Sequence, residues 1–403
     1  MLYRHHLASA LDARREDFVR FERDWQAEAR CYAEHLRALG MRNHEDVRRA
    51  ALARTKSPGA LPSAELGERK GVAVPFEIFW RSHEKARAWA IEILHERVTC
   101  AADGSQILPG RDISLPVAAV QAVVFENPHT RAGCYRKEAH FEVVAPEELL
   151  EGEGGQARAE AAINFRRFEL ETELLGGFLK KHAGWRERGE RLPLAFLDGT
   201  LLISYARPRT KIQDKYVAAI INFVKLSRAT GVPIIGYIDG SYARDIVNLL
   251  ETVASNRCRA ALNDAQLLHQ SFDDSLPTLR SWGDRTIFCH CMREGLGAEF
   301  LDEKNVPLVG FTYLQTTADA SPARLDVPSW IYEAGLLDEV MDTVRAECVV
   351  GNGYPYAVET ADAAAVITAA DRWEFLRAVQ EFAKKEDFAF HISRKAMSKS
   401  RRR

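Results

Sequence analysis

The sequence predicts an α/β protein: a mixed sheet flanked by helices, with helical additions at the N- and C-terminal ends. Two observations carry this. From Val98 onward apolar β-type runs alternate with helical stretches, an order that packs helices against the faces of a sheet. Three of those runs also set an aspartate beside a glycine: VTCAADGSQIL around Asp103, LPLAFLDGTLLISY around Asp198 and VPIIGYIDGSYARD around Asp239. Glycine lets a chain turn sharply after a strand, so the expectation is three carboxylates at one end of a sheet. Carboxylates gathered in this way repel unless a cation sits among them, and Mg²⁺ or Mn²⁺ is the usual answer. Three ordinary strand-terminal turns would give the same pattern with no chemistry attached.

At 403 residues and 46% apolar content the chain can bury a sizeable core, and wholesale disorder is excluded. A net charge of −2 excludes a generally basic nucleic-acid binder, so contact with DNA needs a local patch or a partner that delivers the strand. Seven scattered cysteines show no paired spacing, which points to reduced thiols and a cytoplasmic setting. Cys100 and Cys134 read as core residues. In TIFCHCM, strand alternation would send His290 to the face opposite Cys289 and Cys291, which argues against zinc. No stretch reaches the roughly 18 apolar residues of a membrane span, and no Gly-x-x-x-x-Gly-Lys-Ser/Thr loop is present.

Residues 1–95 read as a helical N-terminal region. Leu7, Leu11, Phe18, Phe21, Trp25, Tyr32, Leu36 and Leu39 recur at helical spacing, with a break at Gly40. Residues 55–71 (TKSPGALPSAELGERKG) read as a linker from their Pro, Gly and Ser content,. A further helix carrying Phe79, Trp80 and Trp89 leads into the first Asp-Gly run. PVAAVQAVVFEN and HFEVVAP are β-rich and suit a meander with that run,. Helices are expected over 159–181, 216–230 and 243–254, strands at RTIFCHCM and VPLVGFTYLQT, and helix again across much of 333–384. Residues 386–403 form a basic tail whose Arg394, Lys395, Lys399, Arg401, Arg402 and Arg403 suit phosphate contacts or a solvated end,.

In the helix before Asp198, Phe168, Glu171, Leu175 and Phe178 fall on one apolar face. An unpaired carboxylate there is costly, so Glu171 is expected either to reach the same cation as the aspartates or to pair with Arg166 or Arg167. Glu169 and Glu173 point to more polar sides.

At this point the chain resembles the NurA nucleases. The resemblance covers roughly residues 80–400. It rests on AADGSQILPGRD, the Arg-Arg-Phe-Glu-Leu-Glu helix, LAFLDGTLLISY, GVPIIGYIDGSYARDIVNLL and GYPYAVETADAAAVITAADR. It implies an RNase H-like sheet as a nuclease domain over 96–385. As metal ligands it implies Asp103, Asp198 and a helical Glu, which is Glu171 or, in another register, Glu169. It treats Asp239 as structural, its acid optional. Some members carry a metal-site His near the position of Asp362, and an Asp ligates Mg²⁺ or Mn²⁺ equally well; His391 is a substitute.

The activity so implied is a Mn²⁺- or Mg²⁺-dependent deoxyribonuclease working on single-stranded DNA and linear double-stranded ends. Its action would be 5′-to-3′ exonucleolytic, with single-strand endonuclease action allied to it. The implied assembly is a homodimer docked on a hexameric HerA-type ATPase, in DNA repair or defence. Two other readings stand beside it: a catalytically silent RNase H-like scaffold for DNA or an ATPase, and a resolvase-like nuclease of the same fold.

Overall fold

The computed structural model describes residues 4–68, 71–110, 113–150, 155–205, 208–254, 262–269 and 277–393. Their strands, in chain order, are β1 (Gly59–Pro62), β2 (Ala73–Val74), β3 (Thr99–Ile107), β4 (Ala118–Asn127), β5 (Arg136–Val144) and β6 (Leu194–Asp198). β7 (Ile234–Ile238), β8 (Arg285–Thr286), β9 (Cys289–Met292), β10 (Val309–Leu314) and β11 (Ala323–Pro328) follow. Two compact units interleave along the chain, 1–79 with 237–332 and 80–236 with 333–403. They do not follow the expected division into 1–95, 96–385 and 386–403. The reason is topological: the first unit draws strands from both sides of the second unit's long insertion.

In the first unit β1, β9, β10 and β11 pair antiparallel in that order, with β8 on β10 and β2 on β8. β1 lies inside the stretch expected as a linker. All four of its residues are buried, and Gly59 takes φ +88, a conformation that costs glycine little,. Helix Arg15–Gly40 buries Trp25, Ala29, Tyr32 and Leu36 at helical spacing, and Tyr32 donates its hydroxyl to Glu251. β11 carries a charged pair inside the core, Arg324 Nε donating to Asp326 Oδ1 at 2.8 Å.

The second unit holds the meander that the β-rich runs predict. β3, β4 and β5 pair antiparallel along their lengths, and the strand order runs β7, β6, β3, β4, β5, with β6 parallel to β3. Helix Gly155–His182 and helix Lys211–Thr230 match the expected helical stretches and extend them. The second starts early because Thr210 and Gln213 form a reciprocal capping box,. The expected helix before β3 is shorter, His83–Leu94, because Ser82 caps it. Helices Leu337–Val350, Tyr356–Ala365 and Ala369–Lys385 complete the unit. Cys100 is buried as expected, but Cys134 is exposed, sitting just before β5 rather than in it.

Candidate active site

The parallel pairing of β3 with β6 reaches only as far as Ala102 opposite Leu197. β6 ends one residue later at Asp198, while β3 runs on to Ile107. Asp103 and Asp198 are therefore next in register where the pair parts. The turn expected after Asp103 does not occur, since residues 99–107 form a single strand. Gly104 serves close approach instead: a Cβ there would lie 2.7 Å from Glu171 Oε1 and 2.8 Å from Arg167 Cγ. After Asp198 the chain does turn, with Gly199 at φ +138.

The pleat sorts the acids by face. Gln106 donates to Asn164 Oδ1 of helix Gly155–His182 at 2.9 Å, so the even residues of β3 face that helix. Gln121, opposite Ser105, donates to the Ala365 carbonyl of helix Tyr356–Ala365 at 3.1 Å. Cross-strand partners share a face, so Asp103 faces the helix that carries Asp362. Glu171 lies over Gly104 from the other side. The two sets still act on each other across the sheet, since Asp103 and Asp198 both raise the Glu171 carboxyl.

Burial comes first among the causes acting on both acids. It pushes Asp103 up to about 6, with Asp362 and Asp198 adding to the rise while the Gly104 N–H and Arg167 oppose it. It pushes Glu171 up to about 7, opposed by Arg167 and reinforced by Asp103 and Asp198. Glu171 is only 6% exposed, and its Oε1 has no hydrogen-bond partner. Arg167 Nε stands 3.6 Å from that oxygen, close enough to attract it but not bonded to it. Its NH1 instead donates to the Gly104 carbonyl at 3.0 Å. Arg166 is committed elsewhere, to Glu142, Glu169 and Glu173. Of the two helical acids left open by the sequence, Glu171 is thus the one at the strand and Glu169 the one in a surface ion pair.

Sequence reasoning passed over three contributors: Arg167 as an anchor, Gly104 as a gap, and Tyr354. Tyr354 donates its hydroxyl to Asp198 Oδ1 at 3.0 Å. A lone tyrosine before a proline carries no periodic signal; only its place in the late Tyr-Pro block could have marked it.

Among the described residues no group of three or more His, Cys, Asp or Glu side chains could hold a metal ion as the side chains stand. Acids divided between two faces and repelling one another do not close up by themselves. The donors nevertheless fit a hard divalent cation. All are carboxylate oxygens, which suit Mg²⁺ or Mn²⁺ over softer metals, and Glu171 Oε1, which accepts no hydrogen bond and has the Arg167 guanidinium at 3.6 Å, is an atom that a cation would satisfy.

The other expected residues lie elsewhere. Asp239 is exposed just past β7 and belongs to the first unit. His391 is exposed, and its backbone exchanges hydrogen bonds with Ser114. His290 meets Ser329 Oγ, and Cys291 meets Asp245. Arg394, Lys395, Lys399, Arg401, Arg402 and Arg403 lie outside the described residues. The aromatic stripe divides: Phe18, Phe21 and Phe79 are exposed, whereas Trp25 and Tyr32 are core. Among the described residues no helix is long and apolar enough to cross a membrane.

A mixed sheet flanked by helices, with Asp103 and Asp198 placed where a parallel strand pair parts, frames the candidate site. Residues 97–367 match the NurA domain, more than half of the chain. The chain belongs to the NurA family. No curated protein matches it. Among solved structures it is similar to NurA, at 11% identity over 71% of this chain and 88% of that one, with a TM-score of 0.41. NurA bound to dAMP and manganese is similar at 12% identity, 68% and 85% coverage and a TM-score of 0.35. The catalytic domain of human endonuclease V is similar at 12% identity, 74% and 95% coverage and a TM-score of 0.32. The family assignment rests on the domain match and not on these likenesses.

Proposed function

We propose that this chain is a divalent-metal-dependent deoxyribonuclease that processes DNA ends, with Asp103, Glu171 and Asp198 holding Mn²⁺ or Mg²⁺ and Asp362 joining them from its helix. One observation carries the reading. A carboxylate as buried as Glu171, with an oxygen that accepts no hydrogen bond, two more acids acting on it and only the Arg167 guanidinium at 3.6 Å to offset them, burdens the fold less once a further cation is collected there,. A cation bound at such a site supplies positive charge to the scissile phosphate and acidifies water. The chain's own part is to place the acids: Asp103 on an unbroken strand, Asp198 under the Tyr354 hydroxyl, and Glu171 over Gly104.

From the family resemblance come 5′-to-3′ polarity with single-strand endonuclease action, a homodimer, a HerA-type hexameric ATPase as partner, and a cytoplasmic role in repair or defence. The sequence has no nucleotide-binding loop of its own, which favours a partner that moves the strand. Lys395, Lys399 and Arg401 would then contact phosphates from the tail.

End-labelled linear DNA, incubated with Mn²⁺, Mg²⁺ or EDTA, tests the proposal. Cleavage with either cation and none in EDTA supports it. DNA binding without cleavage under every condition would leave the silent scaffold standing.

A further inference from the structure

The Gly104 carbonyl and the missing Gly104 side chain meet the same turn of one helix. The carbonyl accepts from Arg167 NH1 at 3.0 Å. The space where a Cβ would stand is filled by the Arg167 stem and by Glu171 Oε1, at 2.8 and 2.7 Å from that position. A real Cβ essentially never comes this close to another heavy atom, so any residue other than glycine would have to displace one of the two side chains. Gln121 O, 3.0 Å from the same position, closes it on the strand side. Gly104 also lies past Ala102, the last residue of β3 paired with β6, where β6 no longer braces the strand.

We propose that Arg167 and Gly104 form a seat for Glu171: Arg167 ties the helix to β3 beside Asp103, and the bare Gly104 backbone admits the Glu171 carboxylate. Arg167 is then a positioning residue acting through Glu171, with no contact of its own to DNA or cation. This rests on the reading of Glu171 as a cation ligand.

The alternative role for a guanidinium among acids is purely electrostatic, and the two roles predict opposite signs. If Arg167 acts only as a positive charge, removing it at a pH well above 7, where the acids are ionised with or without it, favours cation binding, because one repelling charge has gone,. If it seats Glu171, removing it weakens binding, because the ligand is no longer held. Loss of a group that orients a metal ligand costs about 10- to 100-fold in affinity.

The test is titration calorimetry of the full chain with Mn²⁺ in the absence of DNA, with melting temperature and far-UV circular dichroism confirming the fold. Arg167→Leu is expected to bind Mn²⁺ at least about tenfold more weakly than the parent. Arg167→Lys, which can still donate to the Gly104 carbonyl, should recover part of the loss. Gly104→Ala should weaken binding comparably while leaving Arg167 and its charge in place. Unchanged or tighter binding by folded Arg167→Leu overturns the proposal. Should that variant not fold, unchanged binding by Gly104→Ala overturns it as well. If the parent itself binds no Mn²⁺ at millimolar concentration, the failure lies in the metal-centre reading and the seat falls with it.

Discussion

Tyr354 holds Asp198 from outside the sheet, its hydroxyl 3.0 Å from Oδ1. Asp198 is the last residue of β6 and precedes a glycine at positive φ, so the strand fixes its backbone but leaves its carboxylate to be oriented by neighbours. Tyr354→Phe removes the donor and keeps the ring. Cleavage in Mn²⁺ is expected to fall by about tenfold or more with little change in melting temperature. A parental cleavage rate for the folded variant would show that this hydrogen bond has no part in placing Asp198.

The acids should separate into three ranks. Asp103→Ala and Asp198→Ala are expected to abolish cleavage with the fold intact, and Glu171→Gln to behave the same way. Glu169→Gln and Glu173→Gln lose only ion pairs to Arg166, each acid partly exposed, and such pairs are worth little; both should stay close to parental. Asp239→Asn should cost at most about tenfold, or about 1.4 kcal/mol on the barrier. Rates on end-labelled DNA decide the order. Complete loss in folded Asp239→Asn, or parental cleavage by both Asp103→Ala and Asp198→Ala, would require a different site.

Glu171 also makes a signed prediction about stability. Its carboxyl is raised from 4.5 to about 7 in the fold, chiefly by burial. Below about pH 4.5 it is neutral whether folded or unfolded; as pH climbs through 7 its ionisation in the core costs stability. Glu171→Gln removes that cost. In EDTA the variant should melt near the parent at pH 4.5 and above it at pH 8, by an amount on the order of 3 kcal/mol. Mn²⁺ at pH 8 should narrow or reverse the gap, because it stabilises only the parent. A gap that does not change between pH 4.5 and 8 would mean that Glu171 is not the strained group.

Much of this arrangement was legible in the residues, and the parts that were not have physical reasons. β6 and β7 are short runs between helices, apolar up to the Asp198 that ends β6, and they form the strands that this pattern predicts. Glu171 was placed by its neighbours: Leu175 and Phe178 are buried on the face it shares. β11 escaped because Arg324 and Asp326 look like surface residues, whereas in the fold they pair in the core, where Arg324 also meets Asp245 and Tyr313. β1 escaped because Gly59 and Pro62 read as loop, although a four-residue strand tolerates both at its ends,. The sequence pattern ends the Asp103 strand early because glycine usually marks a turn. Here it marks the approach of a helix, and no single-sequence pattern distinguishes the two.

The last prediction concerns assembly. Helix Arg15–Gly40 has two characters: Trp25, Ala29, Tyr32 and Leu36 are buried, while toward its N-terminus Phe18, Val19 and Phe21 are each more than half exposed. Three large apolar side chains left in water on one helix end suit a protein contact, and in the proposed assembly a second copy or the ATPase would be its occupant. Phe18→Glu with Phe21→Glu removes that apolar surface without touching the buried half of the helix. Light scattering of the 45.3 kDa chain is expected to give twice that mass at micromolar concentration. The double variant should either return to the monomer mass or keep the dimer and lose ATP-stimulated digestion with a HerA-type partner. Its unassisted cleavage in Mn²⁺ should remain parental, since none of the acids is disturbed. A parental mass together with undiminished ATP stimulation would show that these aromatics face no partner.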